Sequence, residues 1–265
     1  MGLKYRNAMT HLSHPLDMPS LSRRSATGFT LIELLTVLAI IGLLAALVFP
    51  TVGKVREAAQ RAADASSLRE IVKAAQLYAA DQDGRLPDPA RATAPSGGTG
   101  AHAWAGLLAE RGLLAEPSVY FSRQDPHFDG ALPAAILSAA DRAALDSDFA
   151  ARVLAVELVG GLRLGDAPHT PVAFTRGLLA SGRWSADHGV YRDAGGHIAF
   201  LDGHVRFYPN TTEAAHQLTL ASGRKGSSVL QALPPGANAA STPKVYATPP
   251  AGVGSLTGTL ADRSS

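Results

Sequence analysis

The chain has 265 residues, 46% of them hydrophobic, with 24 basic and 22 acidic side chains and no cysteine. That length accommodates a membrane helix and one modest domain but not several, and without cysteine a folded head is held by its core or by a metal rather than by disulfides. The formal charge of +2 is no nucleic-acid signature: Lys4, Arg6, Arg23 and Arg24, with Asp17 as the one acid, precede Phe29, leaving 20 basic and 21 acidic side chains after it.

Between Phe29 and Phe49 the polar residues are Thr30, Glu33 and Thr36 alone. At about 1.5 Å per residue this run makes a helix about 31 Å long, enough to cross a hydrocarbon core of about 30 Å. It has no polar stripe, as a surface helix would, and buried core helices seldom run so far without one. The basic residues ahead of it keep residues 1–28 in the cytoplasm and send the remainder across the membrane. A secretory signal peptide fits poorly, because its apolar region is shorter and ends in a small-x-small site.

Glu33 lies five positions into this run, where a carboxylate costs free energy unless it has a partner. The block Gly28-Phe29-Thr30-Leu31-Ile32-Glu33-Leu34-Leu35 resembles the processing site of type IV prepilins and type II secretion pseudopilins. The resemblance implies cleavage after Gly28 by a prepilin peptidase, which also N-methylates the new terminus Phe29. It further implies assembly through Phe29 and Glu33: the amine of one subunit pairs with the carboxylate of a neighbour, which offsets the burial of both and sets the axial register. The competing reading is that Glu33 merely reaches to the headgroup layer. Gly42, Pro50 and Gly53 mark a hinge, Pro50 by removing a backbone hydrogen bond and the glycines by lowering helix propensity.

Beyond Pro50 the helical pattern resumes at Val52, Val55, Ala59, Ala62, Leu68, Ile71, Val72, Ala75 and Tyr78, and predicts an apolar face packed on a head. Asp83, Gly84 and Pro87 stop the helix. A Pro-, Ala- and Gly-rich loop follows, then a short helix containing Trp104 and ending near Gly112. Residues 119–121 are expected as a strand, 134–152 as an alanine-rich helix, 153–158 as helix or strand, and 171–175 as extended. Asp202-Gly203 between two β-prone runs predicts a hairpin turn. That region is also similar to a C-terminal motif of planctomycete-type prepilin-like proteins, a histidine followed after nine residues by Asp-Gly, although here Arg192 stands at the histidine position and His188 lies four residues too early.

Metal chemistry has two candidates. Asp125 and Asp129 occupy the first and fifth positions of a calcium-like loop whose twelfth position is Ile136 instead of an acid. His188, His197, Asp202 and His204 are near in sequence, but strand alternation places His197 and Asp202 on opposite faces. No cofactor is expected, and no Gly-x-Ser-x-Gly, P-loop or zinc-protease pattern supports an enzyme; neither Ser122 nor Ser185 has a nucleophile's context.

The expected architecture is α+β and type IV pilin-like, a long N-terminal helix on a small head with antiparallel hairpins. Its segments are a leader at 1–28, an assembly helix at 29–50, an amphipathic continuation at 51–86, a head at 87–220 and a low-complexity, disordered tail at 221–265. The expected role is a structural pseudopilin of a type II secretion pseudopilus, anchored by a single pass in the inner membrane with a periplasmic head. Its partners would be the prepilin peptidase and N-methyltransferase, other pseudopilin subunits, membrane lipid, and an inner-membrane assembly platform with its ATPase, with no nucleic acid among them. The alternatives are a minor type IV pilin and a singly anchored periplasmic binding module.

Overall fold

The computed structural model describes residues 28–236 and 242–250, and for residues 47–52 the backbone alone. Most of the expected leader and the last part of the expected tail lie outside the described residues. The chain divides into two units between Thr51 and Val52. Helix α1, Leu31–Ala80, contributes to both, and its backbone is helical through Gly42, Pro50 and Gly53.

In the first unit the large apolar side chains that are described are exposed: Phe29 is 70% exposed, Leu31 82% and Leu43 65%. Among the described residues no helix is long and apolar enough to cross a membrane. The apolar run continues to Phe49 through positions whose side chains lie outside that set.

In the second unit α1 buries Leu68, Ile71, Val72, Ala75, Tyr78 and Ala79 in the main core. Val55, Ala59 and Ala62, expected on the same face, are exposed, so packing on the head begins only near Asp64. The helix ends where expected: the Gly84 N–H donates to the Ala79 carbonyl at 2.9 Å, with Asp83 and Gly84 at φ +51° and +75°. Helix α2, Gly100–Glu110, follows, and Trp104 within it donates its indole N–H to the Val159 carbonyl. The strand expected at 119–121 is instead a 3₁₀ turn, Pro117–Tyr120, opened by proline and by the Glu116 carboxylate, which accepts the Ser118 N–H, and closed by the Phe121 N–H donating to the Ser118 carbonyl. The helix expected over 134–152 shrinks to α3, Ser147–Ala151. Ahead of it Ser138, Asp141 and Asp146 accept nearby backbone N–H groups, and such local bonds compete with helix formation.

Five strands make an antiparallel sheet: β1 (Val156–Gly160), β2 (Pro171–Thr175), β3 (Gly196–Phe200), β4 (Val205–Tyr208) and, after a second small β5–β6 pair (Leu218–Thr219, Lys225–Gly226) and helix α4 (Val229–Ala232), β7 (Lys244–Tyr246). The order is β4-β3-β2-β1-β7. β1, β2 and β3 are buried along their whole length, the condition of a sheet covered on both faces. The fold is thus α+β, and residues 153–158 resolve into the approach to β1 and its first three residues.

The boundary expected at residue 220 does not hold, because the chain beyond it returns to the sheet. β7 pairs Tyr246 with Leu158, and the Tyr246 hydroxyl donates to Asp88 at 2.6 Å. Gly100 and Gly160 form the slot for its ring: a Cβ on either would approach Tyr246 carbons within 2.5 and 2.6 Å. Thr248 is buried and accepts the Leu154 N–H at 2.7 Å. A composition rich in Ser, Gly and Pro gives no periodicity, yet this segment is ordered by contacts with residues far away in sequence.

Candidate functional site at the start of the long helix

Thr30 immediately precedes α1 and Glu33 is its third residue, so the pair has the spacing of a capping box. The bonds are reciprocal. Glu33 Oε2 accepts the Thr30 N–H at 2.9 Å and the Thr30 hydroxyl at 2.7 Å, while the Glu33 N–H donates to Thr30 Oγ1 at 3.3 Å. Two of the orphan donors at the helix start are thereby satisfied, and the carboxylate sits at the positive end of the helix dipole. Thr36 donates its hydroxyl back to the Ile32 carbonyl, so every polar side chain of the described run is bonded within one turn. Both of the Thr30 bonds fall on Oε2, and Oε1 has no hydrogen-bond partner among the described residues.

Gly28 and Phe29 are exposed and non-helical just ahead of this turn. A Cβ added to Gly28 would meet no atom within 4 Å. Packing among the described residues therefore places no demand for glycine there. Gly42 is equally unconstrained. Sequence reasoning found Phe29 and Glu33 but missed Thr30, although Thr-x-x-Glu before an apolar run is itself a helix-start signature.

Further along α1 a second carboxylate is in the opposite condition. Asp64 is 6% exposed. It accepts the Ser122 hydroxyl at 2.6 Å, the Tyr191 hydroxyl at 2.5 Å and the Gln60 amide at 2.8 Å. Burial, and then the charge of Asp64, push the Tyr191 phenol well above its ordinary range. His197 Nδ1 lies 3.3 Å from the Tyr191 oxygen, and with that tyrosine proton directed to Asp64 it acts as the donor. Burial, reinforced by Arg61 and Arg69, lowers the His197 imidazole to about 4. Arg61 covers the Phe207 ring with its guanidinium 4.6 Å from the centroid.

The remaining sequence candidates are dispersed. Asp202 and Gly203 form the expected turn: Gly203 has φ +86° and donates to Phe200. Asp202 Oδ1 contacts His204 Nδ1 at 2.6 Å. His197 is instead buried beside Tyr191, so the four-residue histidine cluster does not assemble. Arg192 is exposed at φ +54°. Asp125 gives both oxygens to Arg176, at 2.5 and 3.0 Å, in a pair almost wholly buried. Asp129 is held by Arg152 at 2.6 Å; the N–H of Ala131, more than Arg152, holds its carboxyl low. Among the described residues no group of three or more His, Asp or Glu side chains converges as a metal site.

Two histidine contacts escaped sequence reasoning. His102 Nδ1 accepts the Thr99 N–H at 3.1 Å while Nε2 donates to the Arg152 carbonyl at 2.9 Å, and its burial lowers the imidazole's basicity. His188 meets not His197 but His127, with nitrogens 3.1 Å apart. Contacts between segments 50 or 61 residues apart leave no local signal.

Residues 23–49 match the family model described as the prokaryotic N-terminal methylation motif. No curated protein and no solved structure gives a significant match to the chain. The motif implies N-terminal membrane anchoring, processing by a prepilin peptidase and assembly with other pilin subunits, and the described turn from Gly28 to Glu33 lies within it. The start of this chain is thus a prepilin-type methylation motif, consistent with the type IV prepilin and pseudopilin-like family.

Proposed function

We propose that the chain is a structural pseudopilin of a type II secretion pseudopilus. It is cut after Gly28, methylated on Phe29, and assembled from the inner membrane through residues 29–50 with its head in the periplasm. In this reading it is a substrate of the peptidase and of the assembly platform with its ATPase, and itself catalyses nothing. Gly42, Pro50 and Gly53 would provide the hinge that lets the helix adjust as a subunit leaves the bilayer.

The observation that carries the reading is the Glu33 carboxylate in the exposed first turn of an apolar helix, with one oxygen occupied by Thr30 and the other without a hydrogen-bond partner among the described residues. An amine on Phe29 of a neighbouring subunit is the cation that the motif supplies. The capping bonds hold the carboxylate in place for it, because Thr30 remains an ordinary peptide residue after cleavage between Gly28 and Phe29.

Intact-mass analysis of protein extracted from native membranes tests the processing step. The expected chain begins at Phe29 and is about 14 Da heavier than its sequence mass, from one methyl group. A chain that retains residues 1–28 in cells with an active prepilin peptidase would refute the proposal.

A further inference from the structure

His127 and His188 approach from two loops, one after the 3₁₀ turn and one between β2 and β3. His127 Nε2 and His188 Nδ1 are 3.1 Å apart, and the rings lie 5.3 Å apart with planes inclined by 22°. Both side chains are half-buried, with solvent on one side. Beneath them is the Asp125–Arg176 pair. The His127 N–H donates to Asp125 Oδ1 at 2.9 Å, and the His188 carbonyl accepts Arg176 Nε at 3.1 Å. One buried ion pair therefore fixes the backbones of both histidines. Such a pair adds little net stability over apolar residues of the same size, so its effect here is positional.

We propose that His127 and His188 form an open, two-imidazole binding site for a divalent transition metal on the head. Zinc-bound imidazole nitrogens stand about 2.0–2.1 Å from the metal, so two of them at a tetrahedral angle are about 3.4 Å apart. Small ring rotations bring the observed pair to that bite. Imidazole selects zinc, copper or nickel over calcium and magnesium, and the nearby Asp125 carboxylate is consumed by Arg176. In the metal-free contact one of the two facing nitrogens carries the proton. Binding moves it to the far nitrogen of the same ring, so both imidazoles stay neutral and both lone pairs face the ion. Water, or a group from another molecule, fills the remaining positions. The ion would clamp the two loops and stabilise the head in proportion to its occupancy.

The test uses the full chain in detergent, without a polyhistidine tag, and with His11→Gln and His14→Gln to remove the leader's own histidines. Titration with zinc sulfate followed by calorimetry is expected to show one saturable ion per chain. Affinity should fall about tenfold or more in His127→Gln and in His188→Gln and stay unchanged in His169→Gln. Magnesium and calcium chloride should give no binding heat. Copper(II) added at one equivalent to the chain with both loop histidines intact should show coupling to two imidazole nitrogens by electron paramagnetic resonance, a readout independent of how the loop variants fold. No zinc uptake, fewer than two coupled imidazoles, or unchanged affinity in both loop variants would overturn the assignment.

Discussion

Glu33 and Asp64 are carboxylates of one helix in contrasting surroundings. Around Asp64 three donors from α1, the 122 loop and the 191 turn converge on a nearly dry group, and all of them belong to the second unit. Around Glu33 the donors come from one residue, Thr30, and the neighbouring apolar side chains are bare. The first region is closed by residues of one chain, whereas the second has a polar group and an apolar surface that no described residue of the chain covers. That contrast separates the part of the sequence that builds a fold from the part that builds an assembly.

The largest effect on the stability of the chain itself is expected where the closed network is opened. Asp64→Ala leaves the Ser122 and Tyr191 hydroxyls buried without an acceptor, at about 1–3 kcal/mol each, so the head should lose about 3–4 kcal/mol. Chemical denaturation of the detergent-solubilised chain measures this. A loss below about 1 kcal/mol would mean that water replaces the carboxylate and that the region is not closed.

A pH titration sharpens the same point. His197 is held near 4 in the fold, whereas an unfolded histidine titrates near 6.5. Between these values the unfolded chain binds a proton that the folded one refuses. Its contribution is therefore full above about pH 6.5 and is lost as pH falls toward 4, up to about 3 kcal/mol. His102 acts in the same direction. The stability of His197→Gln should depend less steeply on pH across this window, and parallel curves for the two proteins would contradict the assignment.

The smallest effect on the stability of the chain itself belongs to the open end. Thr30→Val removes the hydroxyl that caps α1 and leaves the backbone N–H, at a cost of about 1 kcal/mol. Amide exchange in the first turn should quicken while the melting temperature of the head stays unchanged. A lower melting temperature would show that the two regions are coupled.

The helix was legible in the sequence because its signals are local: an apolar run, then spacings of three and four, then Asp83 and Gly84 as a stop. Glu33 stood out for the same reason, as the one charge in a long apolar segment. The head was less legible because its ordering contacts are remote. Asp125 meets Arg176 across 51 residues and Tyr246 meets Asp88 across 158. Alanine between residues 134 and 146 argued for a helix, yet Ser138, Asp141 and Asp146 turned the backbone onto their own side chains. The segment beyond 220 is rich in Ser, Gly, Pro and Ala, and Tyr246 within its described part sits in a slot made by Gly100 and Gly160 that no local pattern announces.

In the proposed reading Glu33 serves assembly through its charge and not merely as a helix cap. Glu33→Gln separates the two roles, because glutamine also completes a capping box but cannot pair with an amine as an anion. Glu33→Leu removes both roles. The measurement is recovery of sheared filaments from cells expressing each variant, with processing checked by mass. Both variants should be inserted and cut after Gly28. Both should fail to assemble, since an amine buried without its partner costs about 3–5 kcal/mol, or about two to four orders of magnitude in each subunit's addition. Filaments from Glu33→Gln at the unmodified protein's level, with Glu33→Leu defective, would reduce Glu33 to a cap and contradict the account.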